Sequence, residues 1–217
     1  MQLEHLIVTG AGRGLGHAVV REALRRGVRV SASVRSQSAR EQLVRLGCAA
    51  TVLDVRDAAA VEAWFEAIGP HDALLNNAAV LGPRRSLLET TPEDVREVLH
   101  TNVVGAFTVA RAALRHLVPG GRMFHVSSYL GRHALPDYGA YCLSKFALEG
   151  LARVVACENP ALLSVALDPG MVQTDMLRDA RLGGPIDDAT TAEAAAVRVL
   201  DLFATLPLET SGTTVSL

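Results

Sequence analysis

The chain has 217 residues, 49% of them hydrophobic and 20% charged, with a net charge of -2; that length fits one globular α/β domain with a buried core and leaves no room for a second. Its basic residues are scattered and aromatics make up only 4%, which argues against a nucleic-acid surface. Cys48, Cys142 and Cys157 sit in no C-x-x-C pattern and the seven histidines in no H-E-x-x-H pattern, which argues against a disulfide framework or a protein-held metal.

Leu6-Ile7-Val8 reads as a first strand, Gly14 to Arg26 as a helix closed by Gly27, and Val28 to Val34 as a second strand, which together make one βαβ unit. The alternation continues with a helix near Ser38 to Leu46, a strand at Ala50 to Leu53, a helix near Ala58 to Ile68 and a strand at Ala73 to Leu75. Thr91-Pro92-Glu93-Asp94 supplies an N-cap, a proline at N1 and an acid at N3, and predicts one long helix toward His116. A strand at Arg122 to Val126, a helix from Gly139 to about Cys157, a strand at Ser164 to Leu167, a helix from Thr190 to Phe203 and a short strand near Thr213 to Val215 complete the pass. Apolar strands separated by helices predict a doubly wound parallel sheet flanked by helices on both faces, a single Rossmann-fold domain over 1–217. No basic region precedes the first strand and no apolar run approaches about 18 residues, so a cytoplasmic protein with no membrane or nucleic-acid partner is expected.

Three features carry chemistry. Thr9-Gly10-Ala11-Gly12-Arg13-Gly14-Leu15-Gly16 lies between the first strand and first helix, where glycines allow a tight turn and close approach to a diphosphate, and the helix N-terminus favours the anion. The chain contains one lysine, Lys145, four residues after Tyr141. Four residues make about one helical turn, so the two side chains share a face; the ammonium could lower the pKa of the phenol and reach ribose hydroxyls. Ser128, at a strand end, could donate a hydrogen bond to a carbonyl oxygen. Tyr138 and Ser127 compete for these roles, but the residue four after Tyr138 is Cys142, which supplies no cation, and Ser127 should face away from Ser128.

Read as T-G-x-x-x-G-x-G, the glycine turn resembles that of the short-chain dehydrogenase/reductase family, and six further segments match in order. Tyr141 and Lys145 meet its Tyr-x-x-x-Lys, and Ser128, thirteen residues before the tyrosine, meets its serine. Asn102 falls where the family has its fourth catalytic residue, one that holds a water beside the lysine. Asn76-Asn77-Ala78-Ala79 resembles the family's N-N-A-G, with Ala79 departing from the glycine; Leu53-Asp54-Val55 resembles its adenine-contacting strand end; Asp168-Pro169-Gly170-Met171-Val172-Gln173-Thr174 resembles its P-G-x-x-x-T segment. The resemblance implies a catalytic set of Asn102, Ser128, Tyr141 and Lys145. It also implies nicotinamide-cofactor contacts from Gly10, Arg13, Gly14, Leu15, Gly16, Asp54, Val55, Asn77, Ala78, Ala79, Tyr141, Lys145, Pro169, Gly170, Val172 and Thr174, and a short substrate loop near 175–189.

The second strand ends Ser33-Val34-Arg35-Ser36 with no acid to hold a ribose 2′-hydroxyl, whereas Arg35 could pair with a 2′-phosphate, so NADP(H) is favoured over NAD(H). The leading expectation is an NADPH-dependent carbonyl reductase or alcohol dehydrogenase acting on a small carbonyl or alcohol. A nucleotide-binding regulatory protein of the same fold, or a related epimerase or dehydratase, stands as the alternative. Arg178 and Arg181 could contact an anionic substrate or face water. The resemblance also implies a homodimer or homotetramer through the two long helices, with Ala110, Ala113, Leu114 and Leu117 in the interface or buried in the monomer.

Overall fold

Every residue of β1 (His5–Val8) is buried, as expected of a strand flanked by strands on both edges and by helices on both faces. The computed structural model describes residues 3–217. After β1 come α1 (Gly14–Arg25), β2 (Arg29–Val34), α2 (Gln37–Arg45), β3 (Ala49–Val52), α3 (Ala58–Ile68) and β4 (His71–Asn76). Then follow α4 (Pro92–Leu99), a π-helical segment (His100–Gly105), α5 (Ala106–Leu114), β5 (Leu117–Val126), α6 (Gly139–Glu158), β6 (Leu163–Asp168), α7 (Asp175–Ala180), α8 (Ala192–Thr205) and β7 (Thr214–Ser216). The seven strands form one parallel sheet in the order β3-β2-β1-β4-β5-β6-β7. The order reverses between β1 and β4, which opens a crevice at the carboxyl ends of those strands.

Each face of the sheet has its own core. On one, Leu15, Val19 and Ala23 of α1 pack with Val199, Leu200 and Phe203 of α8 against alternate strand residues, and Phe124 stacks on Phe203 with centroids 3.8 Å apart. On the other, Val61, Trp64 and Phe65 of α3 meet Val109, Ala112 and Ala113 of α5 across Ile7, Leu74 and Met123. No described helix is long and apolar enough to cross a membrane.

One expectation changes and one open alternative closes. The single helix predicted from Thr91 toward His116 does start on the predicted cap, a full capping box between Thr91 and Asp94, but the π-helical segment interrupts it at 100–105. The cause is Asn102: its amide accepts from the Val80 backbone N–H and donates to the Val80 carbonyl, both at 2.8 Å, so the helix widens by a residue to hold this side chain against the loop after β4. Ala110 and Ala113, open to either a subunit interface or burial in the monomer, are buried in the monomer. Smaller differences lie at element ends. The strand expected from Arg122 begins at Leu117, with a register shift opposite His71 to Ala73, and the substrate loop contains the one-and-a-half-turn helix α7.

Candidate active site

Two hydrogen-bonded loops make the floor of the crevice. The Thr9 hydroxyl accepts from the backbone N–H groups of Asn77 and Ala78 at 3.0 and 3.1 Å. In return the Asn77 amide donates to the carbonyls of Thr9 and Gly10. This clamp explains two glycines. Gly10 has φ +67, and a Cβ there would lie 2.7 Å from the Ala78 Cα; at Gly16 it would lie 2.6 Å from the Asn77 amide nitrogen and 2.7 Å from the Gly10 carbonyl. The glycines thus bring α1 and the two loops together. The N-terminus of α1 has no side-chain cap and no acid in its first turn, so its N–H groups and positive dipole end face the crevice uncompensated.

From this turn a cavity of about 920 Å³ runs past Ser33, Arg35, Ser36 and Asp54 on one side and reaches Ser128, Tyr141 and Lys145 on the other. Its wall includes Gly10, Arg13, Gly14, Leu15, Val55, Asn77, Ala78, Ala79, Pro169, Gly170, Val172 and Thr174. Gly16 stands behind the wall as a packing contact, and the Asn102 side chain does not line it. Asn102 instead holds Val80, which does line it, and donates to the Ser144 hydroxyl at 3.0 Å. Asp54 is gripped by Arg56 at 2.5 Å, which holds its carboxyl below the ordinary value. Arg35 makes no hydrogen bond or ion pair among the described residues and stands exposed at the cavity rim.

The reactive groups come from two places, the end of β5 and α6. Ser128 follows β5 and caps the short 3-10 turn at Tyr129–Gly131 by accepting from the Leu130 N–H. Ser127 turns the other way and donates to Glu149 at 3.2 Å, as strand alternation requires. Tyr141 and Lys145 lie one turn apart on α6, with the ammonium 5.3 Å from the phenol ring centre. Tyr138 forms a wall, its hydroxyl donating to the Ala180 carbonyl at 2.7 Å.

Burial pulls the Lys145 ammonium down to about 8, against the pull of Asp168. Burial also pushes the Tyr141 phenol well above its ordinary value, assisted by Asp168 and opposed by the Ser128 hydroxyl. Nζ of Lys145 donates to the Val126 carbonyl at 2.6 Å, and desolvation is the largest influence on the phenol.

One cluster beside these groups was not read from the sequence. Asp168 accepts from the Gly170 N–H at 3.0 Å and pairs with Arg132 at 2.6 Å. Arg132 also reaches the buried Glu149 at 3.5 Å, which accepts from Thr214 on β7. A charged residue in the apolar stripe of α6 was the available clue.

A family model described as short chain dehydrogenase matches residues 4–183. The chain belongs to the short-chain dehydrogenase/reductase family. It is 36% identical to D-erythrulose reductase of Gallus gallus over 79% of this chain and 72% of that one. It is 33% identical to the NADPH-dependent pterin aldehyde reductase of Arabidopsis thaliana over 79% of this chain and 76% of that one. A short chain dehydrogenase from Burkholderia cenocepacia in complex with NADP superposes with a TM-score of 0.84 at 27% identity, covering 99% of this chain and 96% of that one. This short-chain dehydrogenase/reductase is accordingly an oxidoreductase of a family that binds a nicotinamide cofactor. Its site suits such a group: Gly10 and Gly16 leave no room for a Cβ in the turn, the N–H groups opening α1 are uncapped, and a buried amine ends the cavity.

Proposed function

We propose that this enzyme is an NADPH-dependent carbonyl reductase, or alcohol dehydrogenase in the reverse direction, whose catalytic groups are Ser128, Tyr141 and Lys145. The supporting observation is that these three side chains line the same cavity as the glycine turn. The nicotinamide, when bound, supplies or accepts the hydride. Gly10, Arg13, Gly14 and Leu15 would hold its diphosphate, and Val55, Asn77, Ala78 and Ala79 the adenosine side and linking ribose. Pro169, Gly170, Val172 and Thr174 would flank the nicotinamide, and Arg35, with no hydrogen bond or ion pair to the described residues, would meet a 2′-phosphate.

Ser128 donates a hydrogen bond to the substrate carbonyl oxygen and fixes where charge develops, a role worth ~3 kcal/mol when well placed. Tyr141 holds the proton for that oxygen. Its raised pKa keeps the phenol protonated at neutral pH, and an alkoxide is a far stronger base, so the transfer runs downhill. Lys145 holds positive charge beside the phenol and steadies the phenolate left behind. Asn102 acts as a positioning residue, keeping Val80 and the Ser144 hydroxyl in place. Ser144 in turn donates to the Tyr141 carbonyl at 2.7 Å.

Oxidation of NADPH over a panel of ketones and aldehydes, beside NADH, tests this reading. Tyr141→Phe should still bind NADPH and lose at least 100-fold in kcat. A Phe variant that keeps its rate refutes the proton-donor role. We also propose a homodimer or homotetramer. Phe107 on α5 and Leu143 on α6 are 53% and 54% exposed, with Val104, Phe146 and Val154 about as open, and large apolar side chains left this exposed call for cover. Light scattering that finds only monomer refutes it.

A further inference from the structure

Resting on that reading, we infer that the carbonyl substrate is apolar apart from its reacting group, in contrast to a polyhydroxy ketose. Beyond Ser128 and Tyr141 the cavity is walled by Leu81, Leu135, Tyr138, Met171, Met176 and Leu177.

The polar groups placed there are committed to the protein. The Tyr138 hydroxyl donates to the Ala180 carbonyl. Arg84 donates to the same carbonyl at 2.9 Å and lies over the Tyr138 ring, 4.6 Å from its centre. Arg181 lines the cavity, but its guanidinium is held by Asp188 at 2.5 and 2.9 Å, by the Pro185 carbonyl and by the Met171 sulfur. Asp175 lines the cavity too, and its carboxylate is paired with Arg178 at 3.1 Å and with Arg13 at 3.5 Å. No free cation therefore remains among the described residues of this end to receive an anionic substrate. Tyr129 stacks face to face on His133 at 3.9 Å and is half exposed, so it offers a flat aromatic edge at the mouth.

Ser128 and Tyr141 are thus the polar groups free to meet a ligand at the reacting end, and both are needed by the carbonyl. A ketose carries a hydroxyl on nearly every other carbon. Each would leave water for a methyl or ring edge, and such a pocket rejects an added hydroxyl by up to roughly 100-fold. An alkyl or aryl chain would bury its surface on these same side chains. Leu135 and Met171 are about half exposed in the structure, so each has apolar surface that a ligand could still cover.

The test separates this inference from the proposed reaction. NADPH binding is measured first, by nucleotide fluorescence; no binding would overturn the reductase reading, and the substrate class with it. The protein–NADPH complex is then titrated calorimetrically with two unreactive carbonyl mimics, hexanamide and gluconamide. Hexanamide should bind at least tenfold more tightly, and Leu135→Gln or Met171→Gln should narrow that ratio at least threefold. Gluconamide binding as tightly as hexanamide, neither amide binding, or a ratio unchanged in both variants would each overturn the inference while leaving the reductase reading in place.

Discussion

Replacing Asn102 by Asp changes one NH2 group to oxygen and should cost far more than its size suggests. The side chain is fully buried and makes three bonds. Oδ1 accepts from Val80 N–H, and Nδ2 donates to the Val80 carbonyl and to Ser144. In the variant an oxygen faces the Val80 carbonyl, so that acceptor loses its donor, at about 1–3 kcal/mol. An ionised carboxylate with one remaining partner adds the penalty of a buried, uncompensated charge, for a total near 3–5 kcal/mol. Protonation restores one donor, so the folded pKa of the new acid must lie above its unfolded value of about 3.9. A raised acid pKa means that the native state binds the proton more tightly, so the variant falls further behind the parent as pH rises through that folded pKa. Chemical denaturation of parent, Asn102→Asp and Asn102→Ala at about pH 5.5 and pH 8 measures this. The gap between parent and Asp variant should widen by at least ~1 kcal/mol at the higher pH, while the Ala gap stays constant. A loss below about 1 kcal/mol for Asn102→Asp, or a gap that ignores pH, refutes the account of the π-helical segment given above.

Three further outcomes follow from single groups. His125 is fully buried, its Nε2 has no partner among the described residues, and burial pulls its pKa to about 4 from 6.5. The native state therefore resists its protonation, and ~3 kcal/mol of stability present above pH 6.5 should drain away as pH falls toward 4, a slope that denaturation curves should find flattened in His125→Asn. In Gly16→Ala the new methyl would strike the Asn77 amide and the Gly10 carbonyl. NADPH affinity should fall at least tenfold and stability by ~1–3 kcal/mol, and a tight-binding variant would deny the close packing of α1 on the two loops. Arg35→Ser should weaken NADPH about tenfold or more, the value of one charge-assisted bond, and leave NADH within about twofold; equal losses for both nucleotides would assign Arg35 to solvent.

Local chemistry was the legible part of this protein. The glycine turn, the Tyr141 to Lys145 spacing and the Thr91 cap depend on neighbours within one turn or loop, and the structure has all three where their residue types require them. What stayed hidden depends on pairs distant in the chain. Nothing near Asn102 announces that Val80 will take its amide, and a π-helical segment differs from an α-helix by one residue, below the resolution of a hydrophobic period. Arg132, Asp168 and Glu149 meet only because β5, β6 and α6 are adjacent in the sheet layer. The apolar stripe of α5 was equally open to burial or assembly until the sheet behind it was placed, and the exposed residues Val104 and Phe107 occupy the opposite side.

A chain with a single lysine that is buried in the cavity and titrates near 8 carries its own spectroscopic probe. Reductive methylation with isotope-labelled formaldehyde would mark two amines, the chain terminus and Lys145, with no background from surface lysines. The chemical shift of the Lys145 methyl groups, followed through a pH titration and then through nucleotide addition, would report charge and occupancy at the centre of the cavity from one resolved signal. In proteins with many lysines the same measurement needs a resonance assignment; here it needs only the removal of one terminal peak.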